Sequence, residues 1–262
     1  MKTGWLDSHC HLVDKAYENE MDAVIQRALD AGVVRFLVMA TNLEEGRKAR
    51  ELKKRYDCID IAVGFHPEDA NNITEEDLNE LEALLATGEF DALGEIGLDY
   101  YWVSDNKDKQ KWLLESQIDL ANKYALPISI HSRDAIQDTY QILKNHPNRL
   151  GGVMHCYSSS VEMAREFVRL GYYISLGGPV TFKNAVTPKE VAAAVPLECL
   201  LTETDSPYLT PAPFRGKRNE PMYVLYTAKA IAQIRQIEEE EFQIAVRNNY
   251  ERFLHRNVHE KN

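Results

Sequence analysis

Short apolar, β-branched segments alternate with longer amphipathic segments along most of the chain, and this alternation restricts the fold more than any other feature. The apolar segments predict eight strands, at Trp5–His9, Val33–Met39, Ile59–Val63, Ala92–Glu95, Ile128–His131, Val153–His155, Tyr172–Ser175 and Leu200–Glu203. Between them, apolar residues with a period of about 3.6 predict helices such as Met21–Ala31, Leu78–Leu85, Trp112–Tyr124 and Val161–Leu170. Strands that alternate with helices run parallel, so we expect an α/β fold, a single (β/α)8 TIM-type barrel. A doubly wound open sheet is the alternative.

The length of 262 residues is common for a barrel of this kind, and no linker rich in proline, glycine or serine divides the chain. We therefore expect residues 1–262 to form a single catalytic barrel domain, with C-terminal helices from about residue 220 packing on it. The segment Pro207–Pro221 is predicted to be a long ordered loop after the last strand.

The net charge of −11 argues against a protein that coats nucleic acid, although it does not exclude one that acts on a single phosphodiester end. No segment resembles a signal peptide or reaches the roughly 18 apolar residues of a membrane span, so we expect a cytoplasmic protein. Strand alternation predicts that Cys10 and Cys156 point away from their histidine neighbours, into the interface between strands and helices.

Six side chains that can bind metal lie at the ends of predicted strands or just beyond them: His9, His11, Glu95, His131, His155 and Asp205. Residues i and i+2 of a strand face the same way, so His9 and His11 can reach one ion together. In a barrel, the C-terminal ends of the strands meet at one mouth, where catalytic residues gather. The sequence therefore predicts a metal centre at this mouth.

Imidazoles and carboxylates without thiolate suit Zn²⁺ or Mn²⁺, and carboxylates with retained water suit Mg²⁺. Six ligands exceed the needs of one tetrahedral ion, so we expect two divalent metal ions (Mg²⁺, Mn²⁺ or Zn²⁺) joined by a shared carboxylate. Glu95 is the expected bridge, because the glycines around it allow close approach of the backbone. Alternatively, Glu95 is a buried carboxylate paired with an arginine or a lysine.

The expected chemistry is hydrolysis, with Asp205, Glu95 and Glu203 as catalytic residues. Asp205 can bind metal through one oxygen and accept the proton of an attacking water through the other. Glu203 can orient a cation or a ligand, or it can belong to a solvated pair at the end of a strand.

These motifs resemble those of the TatD-like metal-dependent hydrolases, a family of deoxyribonucleases. The resemblance extends from about Trp5 to Leu254 and rests on Asp7–His11, Gly64–Pro67, Gly94–Tyr100, His131–Arg133 and Thr202–Pro207, in family order. It implies that one ion is bound by His9, His11, Glu95 and Asp205, and the other by Glu95, His131 and His155. It also implies hydrolysis of DNA, typically from a 3′ end.

The chain departs from the common family pattern at two places that bear on substrate preference. Tyr157–Ser159 replaces a segment in which Phe and Gly are usual, and Glu68 adds a carboxylate that can repel a phosphate.

Contacts to the substrate are expected from loops at the same mouth. The expected phosphate contacts are His66, Arg133, Lys183, Asn184, Arg215, Lys217 and Arg218. Tyr100, Tyr101 and Trp102 can stack on an unpaired base, or they can pack at the rim. The expected partner is therefore DNA, as single-stranded or frayed 3′ ends, and no membrane partner is expected.

Three functions fit these residues. The leading hypothesis is a phosphodiesterase that acts on the ends of DNA or another nucleic acid. A second hypothesis keeps the metal centre but assigns it to an amide, ester or lactone of a small metabolite. The third is a metal-stabilised binding scaffold, although a structural site normally closes its ion with protein ligands whereas catalysis needs an open position.

Overall fold

The computed structural model describes residues 3–255, and its eight parallel strands form one sheet in sequential order. The strands are Trp5–Cys10 (β1), Val33–Ala40 (β2), Ile59–Val63 (β3), Ala92–Asp99 (β4), Ile128–Arg133 (β5), Gly152–Met154 (β6), Tyr172–Leu176 (β7) and Leu200–Thr202 (β8). A doubly wound sheet reverses its strand order at a switch point. This sheet does not, so the open-sheet alternative is wrong.

Backbone hydrogen bonds bring the last strand round to the first. The N–H of His11 donates to the carbonyl of Ser206 at 2.8 Å, and the N–H of Asp205 donates to the carbonyl of His9 at 3.0 Å. A parallel bridge between Cys10 and Ser206 lies in the same seam. The sheet is thus a nearly closed barrel, which confirms the predicted fold class. Its seam also brings the chain after β8 against the end of β1.

Helices lie between the strands and after the last one: Met21–Asp30 (α1), Leu43–Arg55 (α2), Glu75–Leu85 (α3), Lys107–Lys123 (α4), Ile136–Asn145 (α5), Val161–Arg169 (α6), Thr187–Ala194 (α7), Val224–Arg235 (α8) and Glu239–Phe253 (α9). Local capping explains where several of them begin, such as α3, where Thr74 and Asp77 form a reciprocal capping box. The predicted helices correspond to α1, α3, α4 and α6, and α3 and α4 begin several residues earlier than expected. Within residues 3–255, no helix combines the length and apolar character needed to cross a membrane.

Strand β4 continues to Asp99 rather than ending at Glu95 as predicted. The glycines around Glu95 were expected to allow close approach of the backbone, and in the structure they allow close packing between strands. A Cβ atom on Gly97, whose φ is +151°, would lie 1.9 Å from the carbonyl oxygen of His131 on β5. Glycine therefore lets β4 and β5 approach each other beside Glu95.

The C-terminal helices α8 and α9 pack against β1 and β8. The loop that leads to them is fastened to the first loop of the barrel by charged groups. Arg218 contacts Glu20 at 2.7 Å and Glu220 at 3.0 Å, and Arg27 contacts Glu220 at 2.8 Å. These pairs fix the loop after β8 beside the loop after β1.

Candidate metal centre

All six predicted metal ligands converge at the C-terminal ends of the strands. They come from the end of β1 (His9 and His11), the middle of β4 (Glu95), β5 (His131), the residue after β6 (His155) and the loop after β8 (Asp205). His131 is partly buried and the other side chains are buried. The barrel thus gathers ligand atoms from five segments that are far apart in sequence.

One oxygen of Glu95 faces the histidines of β1. Its Oε2 atom lies 3.3 Å from His9 Nε2 and 3.4 Å from His11 Nε2. Asp205 Oδ1 lies 3.7 and 3.4 Å from the same two nitrogens, which are 3.2 Å apart. Ligand atoms held about 2.0–2.2 Å from a tetrahedral ion lie about 3.3–3.6 Å from one another. This group of four atoms therefore has dimensions that suit one metal ion.

The other oxygen of Glu95 faces a different pair of imidazoles. Its Oε1 atom lies 2.9 Å from His131 Nδ1 and 2.7 Å from His155 Nε2, and these nitrogens are 3.3 Å apart. His66 Nε2 lies 3.6 Å from the same oxygen. The carboxylate of Glu95 therefore stands between two groups of potential ligands.

The chemistry of these groups fits a divalent cation. Within residues 3–255, the ion-pair partners of Glu95 are all histidines, so the alternative in which an arginine or a lysine pairs with it is wrong. Imidazole nitrogens and carboxylate oxygens that converge without an amine or guanidinium are the ligands of Zn²⁺, Mn²⁺ and related ions. The cluster can hold metal.

Burial and neighbouring charges act in opposite directions on the ionisation of these side chains. Burial lowers the pKa of His155, but the carboxylates of Glu95 and Glu203 outweigh it and raise that pKa well above its usual value. Burial raises the pKa of Glu95, but His155 and His9 outweigh it and bring that pKa well below its usual value. Without a cation, His155 therefore retains a proton that a metal ion must displace.

Two further carboxylates stand behind the histidines of the second group. Asp99 Oδ2 lies 2.8 Å from His131 Nε2, and Glu203 Oε1 lies 3.4 Å from His155 Nδ1. Metal-binding histidines usually present their second nitrogen to such a partner. Glu203 was expected near the centre from its sequence position, whereas Asp99 was not. The available signal was its spacing, because an even separation from Glu95 on one strand places both side chains on the same face.

Asp7, which is fully buried, ties β1 to the segment that carries Asp205. Its carboxyl accepts hydrogen bonds from the N–H of Thr204 at 2.9 Å and from the Thr204 hydroxyl at 2.5 Å. Burial raises the pKa of Asp7 to about 8, against the opposing effect of these hydrogen bonds. The position of Asp205 therefore depends on a contact from the first strand.

A cleft of about 780 Å³ opens above the metal centre. His66 and Arg133, both predicted to contact phosphate, line it, and so does Trp102. The Arg133 guanidinium lies 4.0 Å from the ring centre of Tyr101 and 5.3 Å from that of Trp102. Trp102 lines the cleft, and Tyr101 packs against Trp102 with the ring centres 4.8 Å apart; we call these two exposed side chains the aromatic rim. Tyr208 lines the cleft beside His11. Arginine and aromatic side chains thus stand next to the metal ligands.

The cleft also has an acidic wall, formed by side chains from the loops after β1 and β3 and from the first turn of α2. Its members are Asp14, Glu45, Glu68 and Asp69. Among the described residues that line the cleft, Arg133 is the single arginine or lysine. The charge of the cleft is therefore strongly uneven.

The remaining predicted substrate residues are not among those that line this cleft: Tyr100, Lys183, Asn184, Arg215 and Lys217. The Tyr100 hydroxyl donates to Asp138 at 2.8 Å, and Arg215 lies 4.1 Å from the ring centre of Phe182. Arg218 belongs to the ion pairs that fasten the last loop.

The prediction for Cys156 is wrong, whereas Cys10 is buried as expected. Cys156 lines the cleft because β6 has already ended at Met154, and a φ of 43° turns the chain at Cys156 itself. Strand alternation therefore no longer sets the direction of its side chain.

The sequence of this chain is similar to those of a known protein family. A family model described as TatD related DNase matches residues 6–255. The uncharacterized metal-dependent hydrolase YabD of Bacillus subtilis (strain 168) is 45% identical over 249 residues, which cover 95% of this chain and 98% of that protein. The uncharacterized metal-dependent hydrolase YcfH of Escherichia coli (strain K12) is 37% identical over 254 residues, which cover 95% of each.

Solved structures agree with these similarities. The crystal structure of YjjV, a TatD homologue from Escherichia coli K12, has a TM-score of 0.91 at 33% identity and covers 95% of this chain and 97% of its own. A TatD family hydrolase from Entamoeba histolytica has a TM-score of 0.86 at 26% identity, with 97% and 98% covered.

Proposed function

This chain belongs to the TatD family of metal-dependent hydrolases, and from that premise we propose that it is a deoxyribonuclease. It hydrolyses phosphodiester bonds at single-stranded or frayed 3′ ends of DNA. The proposal rests on the position of the Glu95 carboxylate, because its two oxygens face separate groups of ligand atoms. A pair of divalent ions joined by one carboxylate is a recurrent arrangement in enzymes that cleave phosphodiesters.

In the proposed centre, His9, His11, Glu95 and Asp205 hold one ion, and Glu95, His131 and His155 hold the other. The ions are Mg²⁺, Mn²⁺ or Zn²⁺; when bound, they polarise a phosphoryl oxygen and make a nearby water more acidic.

Asp205 is the proposed base, and it accepts the proton of the attacking water. One of its oxygens faces His9 and His11, which leaves the other for this transfer. Burial raises the pKa of Asp205, but the hydrogen bond from His11 and the charges of His155 and His9 outweigh it and lower that pKa. Asp205 is therefore ionised near neutral pH, as a base must be. Glu203, which accepts the N–H of Cys156 at 2.6 Å, orients His155.

Two side chains of the cleft suit the phosphate of the substrate. Arg133 presents a guanidinium fork, and its contacts with Tyr101 and Trp102 hold that fork at the cleft. His66 Nδ1 accepts the N–H of Glu68 at 3.4 Å, so the proton of the ring is on Nε2, which can donate to a phosphate oxygen. The exposed rings of Trp102 and Tyr208 offer faces on which unpaired bases stack.

The acidic wall favours a second candidate, the hydrolysis of an ester, amide or lactone of a small metabolite at the same centre. Asp14, Glu45, Glu68 and Asp69 repel a long polyanion, whereas a small neutral or cationic substrate does not meet that repulsion. A DNA end that approaches from the side of Arg133 and Trp102 avoids the wall, and for this reason we rank the nuclease first.

The test is to incubate metal-loaded protein with 5′-labelled single-stranded DNA, the matching RNA, and a panel of neutral esters and lactones. A 3′ exonuclease yields a descending ladder from the 5′-labelled strand and releases mononucleotides from a 3′-labelled one. Asp205→Asn, prepared in the same way, controls for contaminating nucleases. Turnover of esters or lactones without any cleavage of DNA would replace the nuclease with the second candidate.

A further inference from the structure

We propose that Asp99 is a positioning residue that fixes which nitrogen of His131 carries the proton and links the metal centre to the aromatic rim. This inference rests on the proposed function for its metal ions, but it concerns the side chains of this protein. It adds to the proposed centre a residue that contacts neither metal nor substrate.

The contacts of Asp99 determine which nitrogen of His131 must donate a hydrogen bond to it. The side chain is fully buried, and Oδ2 lies 2.8 Å from His131 Nε2. Oδ1 accepts the N–H groups of Tyr101 and Trp102, each at 2.9 Å. An ionised carboxylate only accepts hydrogen bonds, so His131 must carry its proton on Nε2. With Nε2 facing Asp99, Nδ1 is the nitrogen that remains for the proposed ion, and it lies 2.9 Å from Glu95 Oε1.

The backbone of Asp99 is held as firmly as its side chain. Its N–H donates to Gln110 Oε1 at 2.8 Å, and its carbonyl accepts from Gln110 Nε2 at 2.9 Å. Gln110 lies on α4 and is fully buried. The carboxylate therefore has little freedom to follow His131 if its hydrogen bonds change.

The second oxygen of Asp99 extends this arrangement to the substrate side of the cleft. The two N–H groups that it accepts belong to the residues of the aromatic rim, on which Arg133 stacks. One carboxylate thus holds a metal ligand with one oxygen and the rim with the other. A change of protonation at His131 should therefore alter the charge that the same carboxylate presents to the rim.

Asparagine cannot reproduce this pattern in either orientation. With its oxygen towards the backbone N–H groups, its amide donates to His131 Nε2 and forces the ring proton onto Nδ1, towards the ion. With its oxygen towards His131, its amide meets two backbone donors and both rim contacts are lost. Asp99→Asn therefore changes hydrogen bonding with almost no change in size.

The experiment measures zinc binding to Asp99→Asn by calorimetry and by metal analysis, with no nucleic acid present. We expect a loss of about 10–100-fold in zinc affinity at one site, the usual cost of removing such a partner. Asp138→Asn is the matched control, since Asp138 contacts Tyr100 and Lys111 near the same loop. The zinc affinity of this control variant should equal that of the parent. Unchanged zinc affinity in Asp99→Asn would overturn the proposal.

The link to the rim has its own measurement. Zinc added to the metal-free parent should change the emission of Trp102, taken as the difference between the parent and Trp102→Phe. The same difference measured in Asp99→Asn should be absent. A change that persists in Asp99→Asn, or is absent from the parent, would overturn the link.

A measurement on the unaltered protein decides the matter if Asp99→Asn does not fold. In the zinc-loaded protein, ¹⁵N–¹H spectroscopy should find a slowly exchanging proton on Nε2 of His131, assigned by its loss in His131→Asn. A proton on Nδ1 would overturn the proposal. None of these three readouts requires turnover, so a protein that cleaves lactones but not DNA would refute the nuclease while leaving the role of Asp99 intact.

Discussion

Glu95 has the most demanding position of any single residue in the proposed centre, because each of its oxygens faces a different pair of histidines. In Glu95→Gln, an NH2 group replaces one carboxylate oxygen. This NH2 group is a hydrogen-bond donor and cannot bind a cation as the oxygen can. We expect loss of at least one ion and near-complete loss of hydrolysis, with the barrel still folded by circular dichroism. Metal analysis and turnover test this expectation. A variant that binds two ions and turns over normally would show that Glu95 is not the bridge.

Asp205→Asn separates metal binding from proton transfer. Asparagine can still offer an oxygen to the ion, but it cannot accept a proton near neutral pH. We expect turnover to fall by about 10²–10⁴-fold, the usual contribution of a general base, while affinity for DNA is retained. Glu203→Gln is the comparison and should cost less, because Glu203 reaches the centre through His155. If Glu203→Gln is the more damaging change, the base has been assigned to the wrong carboxylate.

The protonation of the histidines predicts how metal affinity depends on pH. Burial lowers the pKa of His131, but the hydrogen bonds to Asp99 and Glu95 outweigh it and raise that pKa, as the carboxylates beside His155 raise the pKa of that ring. A raised pKa means that the metal-free protein holds these protons above the usual range of histidine, near pH 6.5. Metal binding should therefore release protons and weaken as pH falls, beginning above the usual histidine range near pH 6.5 and continuing through it. Calorimetry in buffers with different ionisation enthalpies measures the release. An affinity that is independent of pH in this range would contradict the expectation.

At the scale of elements, the end of β5 and the loop after β4 act together, since Arg133 on one stacks against the rings on the other. Arg133→Ala should mainly weaken the binding of phosphate-bearing substrates and leave the metal content unchanged. Apparent affinity for DNA and for a neutral ester, measured side by side, checks this. Arg215→Ala is a matched control outside the cleft lining, and we expect little effect from it. An equal loss on the neutral ester would point to the small-molecule function instead.

The elements also determine what could be predicted from the sequence. The eight strands could be predicted because apolar runs are a local feature of the sequence. The alternation of strands and helices then indicated parallel strands, whose ends place the six proposed ligands at one mouth. The end of β4 was missed, because the contact that requires Gly97 is made with β5 and is invisible in the local sequence. Cys156 was misplaced for a similar reason, since a single positive φ angle reverses the side chain.

Loop residues were the least predictable part of the site. Lys183 and Lys217 carry charge that suits phosphate, but their loops place them outside the cleft lining, whereas His66 and Arg133 line it. The positions of these residues in the sequence do not show which of them line the cleft and which do not. The distinction lies in how each loop folds back on the barrel.

At the scale of the whole molecule, the proposed ions join β1, β4 and β5 to the segments after β6 and β8. A ligand that binds only the folded state stabilises it, so removal of metal should lower the unfolding temperature. We expect chelation to abolish hydrolysis and lower that temperature, and a divalent ion to restore both. Thermal unfolding of metal-free, reloaded and Glu95→Gln protein tests this, since metal should raise the unfolding temperature of the variant less than that of the parent. Full activity after chelation, with metal analysis showing no ion, would refute the proposed centre.

Asp205 follows the last strand of the barrel, and this position has a consequence for how the protein is made in the cell. A ribosome that has synthesised the chain through β7 has produced the histidines and Glu95, but neither the proposed base nor the seam that closes the barrel. A growing or prematurely terminated chain therefore lacks the proposed base. Synthesis itself would therefore delay the proposed cleavage until the barrel can close, and truncated products should not act on a substrate.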